Sequence, residues 1–378
     1  MSHVLIAADK FKGSLTAAQV AAAVSAGIHR VRPEVPIVAV PVADGGDGTL
    51  AAALAAGYRE VAVTAAGPTG KSVATRYARD GEFAVVELAD VSGLVRLPDG
   101  MAAMTATSRG TGEVIAAAIG AGCRRIVLGI GGSACTDGGA GLAQALGAKL
   151  RNAAGEEIGD GGGALAELAT IDLAPLRARL SGVEVLVACD VVNPLTGPTG
   201  AAAVYGPQKG ASAADVSVLD AALTHWADVV RASTGGDLRD TAGAGAAGGV
   251  GFAALALLDA DLRPGTELVF DLVGFHQQLA GAALVITGEG SLDEQTLHGK
   301  APVGVALAAR AIGVPVVAVC GRLTLGQEQL HDAGIVAAYS LTELEPDLHR
   351  CIAEAAPLLE RVGEQIATDH LCSWERIS

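Results

Sequence analysis

The chain has 378 residues, 51% of them hydrophobic and 18% charged, with a formal net charge of -15. That acidity argues against a nucleic-acid partner, since phosphate backbones are held by clustered Lys and Arg. It leaves small anions open, because a few well-placed donors suffice for them. The length favours two domains. No unbroken apolar stretch reaches the roughly 18 residues of a membrane span. The opening Met1-Ser2-His3-Val4-Leu5-Ile6 reads as a strand rather than a leader. Cys123, Cys135, Cys189, Cys320, Cys351 and Cys372 show no CxxC pairing. Neither a zinc site nor a disulfide scaffold is expected, and a reducing cytoplasm is the expected compartment.

In chain order, residues 4–8 predict a buried strand, 9–14 a loop and 16–28 an alanine-rich helix. Residues 37–42 predict a second strand that ends in the loop 44–48, followed by a helix over 50–56. This βαβα order marks a layered α/β domain with a mostly parallel sheet. The pattern then changes to short strands over 60–64, 72–78 and 84–88, the start of a second domain inserted in the first. Helical and strand signals resume with a helix over 111–120, a strand over 125–128 and a helix over 139–146. Further strands are predicted over 183–188, 284–287 and 316–319, and long helices over 213–232 and 348–368. The expected division assigns residues 1–60, 108–147 and 265–378 to the first domain. Residues 61–107 and 148–264 go to a second, smaller mixed α/β domain.

Glycine and acidic residues gather where strands end: Asp44-Gly45-Gly46-Asp47-Gly48, Gly129-Ile130-Gly131-Gly132-Ser133, Asp137-Gly138-Gly139 and Gly288-Glu289-Gly290. Glycine lets backbone N–H groups approach an anion, and a neighbouring carboxylate can hold a divalent cation. In open parallel sheets ligands bind beyond the carboxyl ends of the strands. The pattern suits a phosphorylated substrate or nucleotide with Mg²⁺. Asp44 and Asp47 either hold Mg²⁺ or cap the following helix. Asp190, ahead of Asn193 and Pro194, is a metal ligand, a general base or an Asx-turn residue. Glu289, with Asp293 close behind, is open to the same two kinds of reading. Lys10, Lys12, Arg109, Lys209 and Lys300 are cations inside loops, and Gly131 to Ser133 is a candidate anion nest. The glycine run 241–251 either wraps a phosphate or packs tightly.

Two nucleotide motifs fail on inspection. Residues 65–72 match a relaxed phosphate loop, but residues 73–78 alternate with period two, so they predict a hairpin instead of a helix. Gly129 to Ala134 comes nearest to a dinucleotide fingerprint, yet lacks the acidic residue about 20 positions on.

The ordered blocks DKFKGSL (9–15), VPVADGGDGT (40–49), TSRGTGE (107–113), GIGGSACTDGGAG (129–141), ACDVVNP (188–194), GPQKGAS (206–212), GAGAAGG (243–249), VITGEG (285–290) and HGK (298–300) resemble the type-1 glycerate kinases along nearly the whole chain. The resemblance implies a flavodoxin-like parallel-sheet domain with the mixed domain inserted, and an active site in the cleft. It implies ATP- and Mg²⁺-dependent phosphorylation of D-glycerate, with 2-phospho-D-glycerate as product. Three positions depart from the family pattern: Lys10 where Ser is usual, Thr136 where Asn is common, and Ser291 where Arg is common.

In that light Asp190, Lys12 and Arg109 are expected to be catalytic. Lys10, Ser108, Arg109 and Asn193 are expected to bind substrate. Gly131, Gly132, Ser133, Lys209, Gly248 and Lys300 are expected to hold the nucleotide, and Asp44, Asp47, Asp137 and Glu289 the metal. A monomer or homodimer without nucleic-acid or membrane partners is expected. The alternatives are a glycerate 3-kinase, an NAD-dependent 2-hydroxy-acid oxidoreductase and a non-catalytic phosphometabolite-binding protein.

Overall fold

The computed structural model describes residues 2–372 and 374, without the side chain of His298. In chain order the strands are β1 (His3–Ala8), β2 (Ile37–Ala39), β3 (Arg59–Ala66), β4 (Ser72–Asp80), β5 (Phe83–Glu87), β6 (Arg125–Gly129), β7 (Lys149–Arg151), β8 (Thr170–Asp172), β9 (Glu184–Ala188), β10 (Asp261–Arg263), β11 (Ala282–Leu292), β12 (Val316–Leu323) and β13 (Ala337–Ser340). They fall in two compact units.

The first unit comprises Met1–Asp44, Ala51–Gly57 and Thr266–Ser378. Its sheet has the order β13-β12-β11-β1-β2, and every pairing is parallel. A parallel sheet is covered on both faces, so its strands read as continuous apolar runs. Accordingly Val4 to Ala8 are all buried. Val4 and Ile6 pack under the helices Ala17–Val31 and Ala355–His370, beside Val24, Leu359 and Val362. Leu5 and Ala7 point the other way, toward Phe275, Val305 and Ala306. Thr16 starts the first helix with a reciprocal capping box to Gln19. The two outer helices touch backbone to backbone. A Cβ on Gly27 would collide with the Glu360 carbonyl, and one on Gly363 with that of Val24.

The second unit comprises Gly45–Leu50 and Tyr58–Gly265. Its six-stranded sheet has the order β10-β9-β6-β5-β4-β3. The β3–β4 and β4–β5 pairs are antiparallel and the rest parallel, so the sheet is mixed. A separate antiparallel ribbon joins β7 and β8. Ile126 and Leu128 lie in the core with Ile115, Leu142, Trp226 and Phe252.

Three expectations are corrected. Sequence places residues 108–147 with the first sheet, whereas β6 pairs with β5 and β9 in the second. The second unit is therefore the larger. An apolar strand carries no label naming its neighbour, and this pairing joins distant parts of the chain. The Gly288-Glu289-Gly290 segment is strand, not loop, because β11 runs on to Leu292 beside β12. The expected helix over 348–368 is two, Leu348–Ala353 and Ala355–His370, divided at Glu354.

Candidate active-site residues

In the first unit acidic groups gather just after β1 and on the neighbouring part of β11. Ala8 stands opposite Gly288, and the Asp9 N–H donates to the Gly288 carbonyl over 2.8 Å. Glu289 follows on β11, buried. Its Oε1 accepts from Thr296 Oγ1 at 2.6 Å and its Oε2 from Lys300 Nζ at 3.3 Å. Lys300 thus sits against a carboxylate and precedes the helix Ala301–Ala311. Burial pushes the Glu289 carboxyl up, against the pull of Thr296 and Lys300.

Asp9 is pushed up further, to about 7. Burial is the main cause; Lys10 opposes it, while the charges of Asp44 and Glu289 add to it. Lys10 Nζ lies 4.0 Å from Asp9 Oδ1, and the Lys10 N–H donates to the same oxygen at 2.6 Å. The charges of Asp44 and Glu289 thus reach Asp9, with Lys10 and Lys300 as the neighbouring cations. Carboxylate oxygens are the ligand type that Mg²⁺ takes, with several waters kept. Among the described residues no three acidic or imidazole groups converge into a complete cage. Mg²⁺ does not require one, since water and phosphate oxygens fill its remaining positions.

In the second unit the turn after β6 leaves backbone donors unused. Gly132 has φ +70°, a left-handed value that favours glycine. Among the described residues the N–H groups of Gly131, Gly132 and Ser133 make no hydrogen bond. The turn is fastened through other atoms: Leu94 N–H to the Gly132 carbonyl at 3.0 Å, and Ala134 N–H to the Ser92 carbonyl at 3.0 Å. A Cβ on Gly131 would meet Gly46 Cα at 2.7 Å, so the Gly45–Gly48 loop lies directly against it. Glu87, at the end of β5, anchors that loop by accepting from the N–H groups of Gly48 (3.1 Å) and Leu50 (2.9 Å). Sequence gives Asp44 or Asp47 that helix-capping role. Asp47 is exposed instead.

Lys209 is wholly buried beside the same turn. Its Nζ donates to Ser133 Oγ at 2.9 Å and to the Cys135 carbonyl. Lys209 and Ser133, predicted together from separate motifs, are in contact.

Other expected site residues serve as framework. Asp137 accepts from the Ser108 N–H (2.7 Å), Ser108 Oγ (2.8 Å), and the N–H groups of Gly139 (3.1 Å) and Gly141 (3.3 Å). With those donors Asp137 organises its own loop. Ser108 is fully buried and also accepts from the Leu142 N–H. Gly248 opens no phosphate cradle: with Ala247 and Gly249 it is left-handed, and a Cβ there would strike the Cys135 carbonyl. Asn193 uses its amide on the Thr199 carbonyl and the Tyr205 hydroxyl.

Arg109 is half-buried and pairs with Asp160 at 2.8 Å and with Gln144 Oε1 at 3.2 Å. Asp190 is exposed beyond β9, and its Oδ1 accepts from the Gly265 N–H at 2.8 Å. Lys12 is exposed in the loop after β1. Sequence reading does not assign a role to Asp9 or Glu87. Asp9 carries a signal, an acid directly after a buried strand, whereas Glu87 looks like one more strand residue.

The model of the glycerate kinase family matches residues 4–371. The chain belongs to the glycerate kinase family. Within that family it is 45% identical over 368 residues to a "Glycerate kinase" of Bacillus subtilis (strain 168), covering 96% of each chain. It is 45% identical over 344 residues to a "Glycerate 2-kinase" of Escherichia coli (strain K12), covering 89% of this chain and 90% of that one. A crystal structure described as "putative glycerate kinase 2 from Salmonella typhimurium LT2" superposes with a TM-score of 0.87 at 42% identity, over 99% of both chains. The family's α/β architecture, one parallel and one mixed sheet, is the one described above.

Proposed function

We propose that the protein transfers the γ-phosphoryl group of ATP to D-glycerate, giving 2-phospho-D-glycerate and ADP. The observation that carries this reading is family membership across residues 4–371, with a relative named as a 2-kinase at 45% identity. The uncommitted N–H groups of Gly131, Gly132 and Ser133 support it, as donors for phosphate oxygens. So do the carboxylates just after β1 and on β11.

The first sheet supports a flavodoxin-like assignment. Counted within that unit alone, its five strands run 2-1-3-4-5 in space. In such sheets the ligand binds where the order reverses, between the first and third strands. Those are β1, which Asp9 follows, and β11, which carries Glu289 one residue past the Ala8–Gly288 pair.

Asp44 and Glu289, with Asp9, would hold Mg²⁺, water filling its remaining positions. Bound there, Mg²⁺ supplies neutralisation of charge on the phosphate oxygens. Asp190 would orient the glycerate hydroxyl and accept its proton. Lys12 and Arg109 would balance the charge of the glycerate carboxylate or the transferring phosphoryl group. All six cysteines are free thiols, which suits a cytoplasmic enzyme. Among the described residues no helix is long and apolar enough to cross a membrane.

The phosphorus NMR spectrum of the product made from ATP and D-glycerate tests the reading. A 2-phosphate resonance is expected. A 3-phosphate resonance would move the assignment to a 3-kinase, and no glycerate-dependent product would end it.

A further inference from the structure

Lys209 is buried by the 3₁₀ turn Pro207–Lys209, which Gly210 closes with φ +90° against Met101. Among the described residues no carboxylate pairs with its ammonium group. Burying an ammonium is costly, and burial pushes the Lys209 pKa down, against the opposing charges of Cys135 and Asp137.

The two hydrogen bonds it makes have a directional consequence. An ammonium group has three donors and no acceptor. In the 2.9 Å contact Lys209 Nζ donates and Ser133 Oγ accepts. Its own hydrogen has to point elsewhere, and among the described residues Ser133 Oγ has no second partner. That hydrogen joins the three free N–H groups of Gly131, Gly132 and Ser133. One turn thus offers four uncommitted donors.

We propose that Lys209 is a positioning residue for the nucleotide: it fixes the Ser133 hydroxyl so that its hydrogen donates to a triphosphate oxygen. The inference rests on the proposed kinase reading, which makes the turn a phosphate seat. Lys209 itself does not touch the nucleotide. Its charge polarises the hydroxyl, and its bond to the Cys135 carbonyl holds the chain on the far side of Ser133 in place. This differs from the usual role of a lysine in a phosphate loop, where the ammonium reaches the phosphates directly.

A double-mutant cycle tests it, with MgATP binding read by calorimetry in the absence of glycerate. Lys209→Met and Ser133→Ala are each expected to weaken MgATP roughly 10- to 100-fold, the range for a lost charge-assisted bond to phosphate. The double variant is expected to bind no worse than Ser133→Ala, because Lys209 acts through that hydroxyl. The KM for glycerate should stay within about twofold in all three. Thermal unfolding establishes that each variant is folded. If Lys209→Met is not, Lys209→Gln replaces it in the same cycle, since its amide keeps a donor for Cys135.

Two results overturn the proposal. One is Ser133→Ala binding MgATP as wild type does. The other is a double variant losing the product of the two single effects, which would mean that Lys209 contacts the nucleotide itself. Wild-type protein that binds MgATP but forms no phosphoglycerate would sink the kinase reading while leaving this test intact.

Discussion

Asp9 follows β1 and Glu289 lies on the adjacent parallel strand β11, Ala8 standing opposite Gly288. The Asp9 carboxyl lies at about 7 because it is buried there, and the charges of Asp44 and Glu289 raise it further. The folded protein therefore holds a proton that an ordinary carboxyl, near 3.8, has already released. That favourable contribution is complete below about pH 4 and is lost as the pH rises through 7. In EDTA, unfolding free energy should fall between pH 5 and 8. Asp9→Asn should flatten that fall and be more stable than wild type at pH 8, by up to about 4 kcal/mol. Urea titrations at pH 5 and pH 8 check it; parallel curves for the two proteins would refute the assignment.

A cation that relieves this crowding should stabilise the protein without any nucleotide. Millimolar Mg²⁺ at pH 8 is expected to raise unfolding free energy by roughly 1–3 kcal/mol, as ligand linkage requires. Glu289→Gln and Asp44→Asn should each shrink the increment. An equal increment in both variants would place the metal elsewhere.

Asp190→Asn should lower kcat by about 10²- to 10⁴-fold, the usual contribution of a general base. Its Oδ1 is retained by the amide, so the bond from the Gly265 N–H survives and the melting temperature should move little. Steady-state kinetics beside a thermal melt separate the two effects. Near-wild-type turnover would remove Asp190 from the mechanism.

Gly248→Ala should destabilise the second unit by more than about 2 kcal/mol. The new methyl group would need a left-handed backbone at φ +70° and would strike the Cys135 carbonyl. Chemical denaturation measures this directly, and a neutral result would mean that the turn can open.

Thr136 is fully buried, and among the described residues its hydroxyl has no hydrogen-bond partner. An unmet buried hydroxyl is a liability. Thr136→Val, nearly the same shape without the oxygen, should therefore be neutral or stabilising by about 1 kcal/mol. A loss of more than that would reveal a partner, such as a buried water.

Much of the fold was legible where the apolar pattern is strong. The strand at residues 4–8, the hairpin of β3 and β4 and the helix beginning after Ser212 all announce themselves by period and cap. Strand neighbours were not legible, since β6 carries the same continuous apolar run whichever sheet it joins. β10 and β13 are only three and four residues long and give too little period to find. At the site, glycine marks backbone freedom but not its use. Gly132 leaves N–H groups free, whereas Gly248 spends the same freedom on close packing. Acidity is equally ambiguous in sequence. Asp137 and Glu289 both sit in glycine-rich motifs, yet one binds its own loop and the other stands beside a second carboxylate.

The first unit is assembled from the two ends of the chain. β1 pairs with β11, and the helix Ala17–Val31 meets Ala355–His370 at Gly27 and Gly363. The second unit is nearly continuous, from Tyr58 to Gly265 apart from one short segment. On the ribosome the later-starting unit can therefore close first, while the earliest residues wait, unpaired and apolar, for the last helix to emerge. Limited proteolysis of nascent chains stalled near residue 290 should find the middle protected and residues 3–31 cut. The long-delayed partner makes this opening segment the part of the molecule most in need of a chaperone.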